Sequence, residues 1–446
     1  MRLHRPVEQL RSRGSFLLVL CGVALGMGNW WRFAFLLGDN GGAPFMLAYV
    51  AALLLLAVPL LAAELALGRI GRRTPPVSLL WVTALSGRSA LWAAISALAL
   101  AAALLLASSA LLLGGWALAY AFHGQLGSFA AISLQGAGAF FAELSASPLR
   151  GAAWQGIGVL SLLCAAGAGL RRGTAPAMWI AVPLLLVLLA VLVDYAMREG
   201  DPGAAGAFLF SRQLLDFDAA SVAVAFAQAL FTLAVATGVG LSLGAAADGE
   251  APLLRCALAA AVLDTAAGIA IGVVLLALCS AANLLPEPGA GLLFVGLPYA
   301  FGQLPQGDAH GALFYFALFV AAMSLALVLL EPLIMVLDRQ LRLGRLRAAS
   351  LALGAAWLLA LLALLSLDPA AALPRFLPRL SALAGVLLPA AALLLALFAG
   401  WLVPRGLLRR ELSREPDFLF ALWYFALRFL VPAGVALGGY GLWLLP

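Results

Sequence analysis

Apolar residues fill this chain in long stretches separated by short polar segments. A helix that crosses hydrocarbon needs about 20 such residues in a row. An apolar window marks eleven stretches of that kind: 15–38, 43–68, 91–122, 153–170, 174–197, 221–247, 253–282, 311–337, 348–367, 380–403 and 419–444. We refer to them as spans 1 to 11. The pattern predicts an all-α polytopic membrane protein. Two longer connections interrupt the regular spacing. Residues 123–152 are rich in Gly, Ser and Ala and read as a flexible outer loop. Residues 283–310 hold an apolar piece, Leu292–Phe301, bounded by Pro286, Pro288 and Pro305. It is too short to span and predicts a re-entrant or capping hairpin.

The charges between the spans set their direction. Arg2, Arg5, Arg11 and Arg13 precede span 1, and Arg69, Arg72 and Arg73 follow span 2. Arg171 and Arg172 follow span 4, and Arg255 follows span 6. Arg339, Arg342, Arg345 and Arg347 follow span 8, while Arg405, Arg409, Arg410 and Arg414 follow span 10. If the spans alternate, all of these lie on one side, and Asp201, Asp216, Asp218, Glu287, Asp308 and Asp368 lie on the other. Basic loops stay in the cytoplasm. The N-terminus is therefore expected inside and the C-terminus in the periplasm.

Composition adds exclusions. Hydrophobic residues make up 65% of the chain and charged ones 10%, with a mean hydropathy of +1.07. Soluble domains carry about 25% charged residues, so lipid is the expected surroundings. The net charge of +6 is spread over short loops and not gathered on one face, which argues against nucleic acid as a partner. Cys21, Cys164, Cys256 and Cys279 sit in apolar stretches without a C-x-x-C pair, and His4, His123 and His310 are scattered. No transition-metal site, nucleotide loop or hydrolase motif is present, so an enzyme is not expected. The absence of lysine and the Ala/Leu/Arg bias point to a GC-rich bacterial genome and hence an inner membrane.

Two spans contain residues that a simple membrane helix has no use for. Span 1 reads Gly22-Val23-Ala24-Leu25-Gly26-Met27-Gly28-Asn29-Trp30-Trp31-Arg32. Span 6 reads Gln228-Ala229-Leu230-Phe231-Thr232-Leu233-Ala234-Val235-Ala236-Thr237-Gly238. Glycine weakens helix, and arginine resists hydrocarbon. Small residues alone serve helix packing, but packing does not call for Asn29, Arg32, Gln228 or Thr232. Breaks at positions 1 and 6 are what a five-plus-five inverted repeat would give, with unwound backbone at the midplane for substrate and ions.

At these residues the sequence resembles the neurotransmitter:sodium symporter family, and its bacterial members above all. The resemblance is carried by Gly26-Met27-Gly28-Asn29-Trp30-Trp31-Arg32-Phe33, by Asp39-Asn40-Gly41-Gly42-Ala43-Pro44-Phe45, and by Pro59 to Arg69. Phe231-Thr232-Leu233, Glu331-Pro332 and Trp423 to Pro432 follow in order. It implies one transporter domain over 1–446: a cytoplasmic segment 1–14, a first repeat 15–197, a second repeat 221–403 and an extra helix 419–444. It also implies sodium-coupled symport of a small amino acid or related amine by alternating access. A first sodium site would use Ala24, Asn29, Thr232 and Asp264; a second would use Gly22, Leu25, Ala321 and Ser324. Substrate would meet Ala24 and the Gly26 and Met27 amides, with Ala110, Phe231, Ala234, Thr237 and Leu325 around it. Arg32 would form the outer gate and 292–304 the outer lid. Glu64 and Glu331 would sit together beside the span 6 break, and Gln228 would add a structural polar group. Asp338 with Arg5 or Arg11 would close the inside.

Departures from the family pattern sharpen these expectations. The family's span 3 tyrosine, which bonds the substrate carboxylate, is Ala110 here, and its span 7 asparagine is Asp264. Asp264 lies about 13 Å along the helix from Arg255, near mid-membrane, where a carboxylate must meet a cation or a proton. It replaces the substrate carboxylate at the first sodium, leaving room for a substrate that carries none, or it serves simply as a sodium ligand or replaces a chloride charge, with an amino-acid substrate unchanged. Tyr49, Gln228 and Thr232 match halide-binding positions, but the span 7 contribution is Gly268, so chloride independence is expected. Leu325 stands where a second hydroxyl would face the second sodium, so one coupled sodium is expected in place of two. Residues 369–410 hold no acid to pair with Arg32. The alternatives are a non-transporting sensor and a proton-coupled carrier.

Overall fold

A computed structural model describes residues 7–10, 12–30, 32–210, 216–284, 291–367 and 376–444. The described residues form helices and connections, with no strand among them. Nine of the described helices are long and apolar enough to cross a membrane. They are span 2 (Ala43–Gly71), span 3 (Ala90–Gln125), span 4 (Pro148–Ala168), span 5 (Leu170–Glu199), span 7 (Leu253–Ala281), span 8 (Gly307–Arg339), span 9 (Arg345–Leu365), span 10 (Phe376–Leu402) and span 11 (Asp417–Leu444). Spans 1 and 6 are each split in two. Span 1 is α1 (Arg13–Ala24) and α2 (Arg32–Asp39); span 6 is α3 (Ala219–Thr232) and α4 (Val239–Ala246). Eleven crossings result, as the apolar windows predict.

Proline accounts for most of the local irregularity. Five π turns occur among the described residues: Leu53–Ala57, Leu170–Thr174, Leu292–Gly296, Phe398–Leu402 and Ala426–Leu430. Each ends two residues before a proline: Pro59, Pro176, Pro298, Pro404 or Pro432. Proline offers no N–H, and its ring crowds the carbonyl four residues back. Widening the preceding turn moves that carbonyl aside, and the residue just before the proline bonds five residues back, as Val58 N–H does to Leu53.

Span 8 is the most buried of the nine long helices and packs along span 3, with α1 and span 5 also against it. Half-helix α4 lies directly on span 2. A Cβ at Gly68 would collide with the Leu241 carbonyl, so only glycine allows this close approach. The resulting scaffold brings both breaks, span 2, span 7 and span 8 together inside the protein.

The connection 123–152 is not a plain flexible loop. It contains a helix, Leu134–Ser145, capped by the Ser133 hydroxyl on Gly136 N–H. Its Phe140 and Phe141 rings pack on Tyr120 and Phe294. Aromatic burial outweighed the loop-like composition. The short piece after span 7 is the helix Leu292–Gln303, whose Phe294 and Leu297 are fully buried. The Tyr120 hydroxyl donates to the Phe294 carbonyl at 2.7 Å, and that of Tyr315 donates to the Leu293 carbonyl. This lid is therefore fastened to spans 3 and 8.

Candidate functional site

The break in span 1 begins where α1 ends at Ala24. Leu25 and Gly26 leave the helix, Met27–Asn29 form a single tight turn, and α2 restarts at Arg32. Asn29 is 2% exposed and reaches across to span 7. Its Nδ2 donates to Asp264 Oδ1 at 2.8 Å and lies 3.2 Å from the Asp264 carbonyl and 3.3 Å from that of Ala24. Its Oδ1 is buried with no hydrogen-bond partner. An NH2 group has two protons, so three oxygens compete for them. Turning the amide over would place Oδ1 among those three acceptors, an arrangement that only a cation between the oxygens would make favourable.

Asp264 is fully buried. Besides Asn29, the Thr232 hydroxyl donates to its Oδ1 at 2.8 Å, and the Tyr49 hydroxyl donates to its Oδ2 at 2.6 Å. All three donors are neutral. Among the described residues no cation pairs with this carboxylate, which is the arrangement a monovalent cation or a proton would complete. The oxygens of Ala24, Asn29, Thr232 and Asp264 are hard donors of the type such a cation needs. The structure thus joins the four residues expected at the first sodium site. It also adds Tyr49, which the sequence linked only to a halide position. Gly268 leaves room there: a Cβ would come within 2.8 Å of Phe33.

The break in span 6 is held differently. Leu233 to Gly238 are not helical, and Ala234, Ala236 and Gly238 have φ of +47°, +59° and +78°. Left-handed backbone suits glycine but strains alanine. Glu64 accepts from the Gly238 N–H, and two further contacts hold the break. The Ala236 N–H donates to Glu64 Oε2 at 3.0 Å, and the Thr237 hydroxyl turns back to the Ala234 carbonyl. Thr237, expected on the substrate side, is fully buried and spends its proton on the break itself. Gln228 is buried with Oε1 unpaired.

Other expected partners are rearranged. Glu331 does not share the freed amides with Glu64. Its Oε2 pairs with Arg345 at 2.6 Å and accepts from the Thr174 hydroxyl at 3.3 Å, while Oε1 has no partner. Arg345 comes from the start of span 9, fourteen residues away across a loop, a distance at which no helical spacing rule flags a pair. The Gly26 N–H donates to the Val23 carbonyl at 2.9 Å and is not free for a substrate carboxylate. The Leu25 carbonyl, expected at the second sodium, accepts from Trp30 Nε1 at 3.4 Å. At the same place a Cβ on Gly22 would strike Met178. Ser324 is buried and Ala321 fully so. Leu325 lies over the break, 3.3 Å from where a Cβ on Gly26 would stand. Ala110 is fully buried, Met27 nearly so, and Phe231 is half-exposed. The Arg32 guanidinium sits 5.5 Å from the centre of the Phe231 ring.

The end of the bundle where α1 begins is tied by pairs that the sequence did not single out. Arg13 meets Glu250 at 2.7 Å, Arg414 meets Glu250 at 2.9 Å, and Arg171 meets Glu8 at 2.7 Å. Leu10 N–H donates to the Ala246 carbonyl at 2.9 Å. Arg5 and Arg11, the expected partners of Asp338, lie outside the described residues.

Comparison with known proteins fits this geometry. The pattern of the sodium:neurotransmitter symporter family matches residues 7–123. The crystal structure of MhsT in complex with L-phenylalanine superposes with a TM-score of 0.87 at 30% identity, covering 98% of this chain and 99% of that one. The chain belongs to the sodium:neurotransmitter symporter family. It is a multi-pass membrane transporter of the inverted-repeat, broken-helix type. It is also similar along most of its length to sodium-dependent transporters whose own roles are uncharacterised. YhdH of Bacillus subtilis is 26% identical over 98% of this chain and 97% of its own. MJ1319 of Methanocaldococcus jannaschii is 26% identical over 94% of this chain and 86% of its own.

Proposed function

We propose that this chain carries a small amino acid or related amine into the cell together with sodium, by alternating access across a bacterial inner membrane. The observation that carries this reading is the oxygen ring of Ala24, Asn29, Thr232 and Asp264, built around a buried carboxylate with neutral donors only. A sodium ion there would replace the Asn29 amide protons, neutralise Asp264 and fix the span 1 break against span 7. Ordering of the break would then present Met27, Phe231 and Leu325 to substrate. MhsT was solved with L-phenylalanine, so amino acids are the first candidates.

Asp264 also supports chloride independence. Its Oδ2 takes the Tyr49 hydroxyl, and its Oδ1 that of Thr232. Those two side chains match halide-binding positions, so the carboxylate supplies the negative charge that chloride would bring, and a second anion would be repelled. Leu325 and the engaged Leu25 carbonyl support a single coupled sodium. A proton in place of sodium is the second reading, because the same carboxylate lacks any cationic partner.

Uptake of radiolabelled amino acids into proteoliposomes tests both. An inward sodium gradient at equal pH should drive accumulation. Accumulation driven by a pH gradient without sodium would favour the proton, and none under either gradient would leave a non-transporting relative. An inward-basic N-terminus and periplasmic C-terminus can be checked by tagging each end.

A further inference from the structure

We propose that the junction of spans 10 and 11 binds an anionic membrane phospholipid, its phosphate seated between Arg405 and Arg428 beside the Tyr424 ring. This site is separate from the broken spans and stands whether or not the symport reading does.

The connection 405–416 sorts its charges by direction. Its acids turn to the interior: Glu411 pairs with Arg69, whose side chain is 3% exposed, and the buried Glu415 pairs with Arg255. Its first arginines turn instead to the aromatic rings of span 11. Arg405 lies 5.5 Å from the centres of both Phe420 and Tyr424, and Arg409 lies 5.2 Å from that of Phe420. Arg428, one helical turn past Tyr424, lies 5.6 Å from the same ring and 4.1 Å from that of Trp401 at the end of span 10. Phe420, Tyr424 and Arg428 recur every four residues and so share one stripe of the helix. Among the described residues Asp417 is the one acid that pairs with any of the three arginines, and it takes Arg409. Arg428 Nε is buried without a hydrogen-bond partner, and Arg405 is exposed.

An aromatic face attracts a guanidinium without cancelling its charge. Neighbouring cations repel one another, and a charge inside a span is costly unless it reaches the headgroups or meets an anion. Arg428 stands about 16 Å along the helix from Asp417. Its guanidinium leans back toward Tyr424, the direction in which a snorkelling side chain seeks the membrane surface. The exposed Trp401 marks the headgroup level, where tryptophan and tyrosine collect. A phosphate diester there would accept paired N–H bonds from the planar forks of Arg405 and Arg428. The exposed rings of Trp401, Phe429 and Phe425, packed one on the next, offer an apolar strip for its acyl chains. A zwitterionic lipid brings the same phosphate but adds an ammonium, a further cation beside three. Arginine-rich connections favour the cytoplasmic side, whose leaflet supplies anionic headgroups. Since Glu411 and Glu415 fasten the same connection to spans 2 and 7, a bound lipid would stiffen that end of the bundle.

The test uses the full-length protein in nanodiscs of phosphatidylcholine, with phosphatidylglycerol of the same acyl chains added in steps. Retained lipid is counted by native mass spectrometry, and the melting temperature is followed alongside. Phosphatidylglycerol should be retained preferentially and should raise the melting temperature. Its apparent affinity should fall roughly fivefold in Arg405→Gln and in Arg428→Gln, and roughly thirtyfold in the double variant. Arg428→Lys should keep part of it. Arg405→Gln, at an exposed position, tests the site even if Arg428→Gln fails to fold. Arg198→Gln, which removes an exposed arginine paired with Asp194 on span 5, should change nothing. Equal retention of both lipids, a double variant with undiminished preference, or an equal loss in Arg198→Gln would overturn the proposal. So would the same stabilisation by inorganic phosphate in pure phosphatidylcholine.

Discussion

The two broken spans solve one problem in opposite ways. Both leave backbone groups unsatisfied in the middle of a membrane, where each would be costly. The span 6 break is completed from within. Glu64 takes a freed amide, Thr237 takes a freed carbonyl, and two alanines accept left-handed backbone to make the geometry close. The span 1 break is left incomplete. Three oxygens crowd the Asn29 amide, and its own oxygen has no partner. A finished break is scaffold; an unfinished one is a site. The difference between the two therefore marks where a ligand must act, although both segments read in the sequence as interrupted helices.

That contrast can be broken most directly at Asp264. Asp264→Asn removes the only charge of the span 1 ring, and sodium-dependent substrate binding should fall by about 100-fold or more, in line with about 3 kcal/mol for an uncompensated buried charge partner. Unchanged sodium coupling in a binding assay would return the ring to a structural role. Glu64→Leu should act on stability and not on ion dependence. It leaves the Ala236 N–H unpaired, at a cost of about 1–3 kcal/mol. A lowered melting temperature with intact sodium response would separate the breaks as described; a lost sodium response would merge them. Ala236→Gly tests the strain at the finished break. Glycine tolerates its φ of +59°, and relief of about 1 kcal/mol should raise the melting temperature slightly. Smallest of all is chloride. Exchanging it for gluconate should leave uptake unchanged, whereas faster uptake in chloride would mean that Asp264 does not stand in for the anion.

Much of this was legible beforehand, for physical reasons that differ by feature. Span positions follow from transfer of apolar residues into hydrocarbon, a sum over local composition, and the windows agree with the helices to within a few residues at most ends. Span 4 starts earlier, at Pro148, and span 3 runs on to Gln125. Asn29, Thr232 and Asp264 stood out as polar side chains within spans, and the family resemblance implied that they share one site. The partner of Glu331 was not legible, since Arg345 lies across a loop whose path no local rule sets. Nor were the engaged amide of Gly26 and the inward turn of Thr237, which depend on torsions chosen only when the helices pack. The helix at Leu134–Ser145 was hidden behind small residues and owes its place to aromatic contacts with the lid.

The amino-acid sequence alone determined the membrane class, the eleven crossings and the residue types available at mid-membrane. These depend on hydropathy and on covalent geometry within a few residues. Tertiary structure alone decided which of those residues meet. It gave Asp264 three neutral donors, Glu331 an arginine, and Arg32 an aromatic face. Hydrogen bonds and ion pairs act over about 3 Å, and distances that short between remote positions are fixed only once the helices have packed.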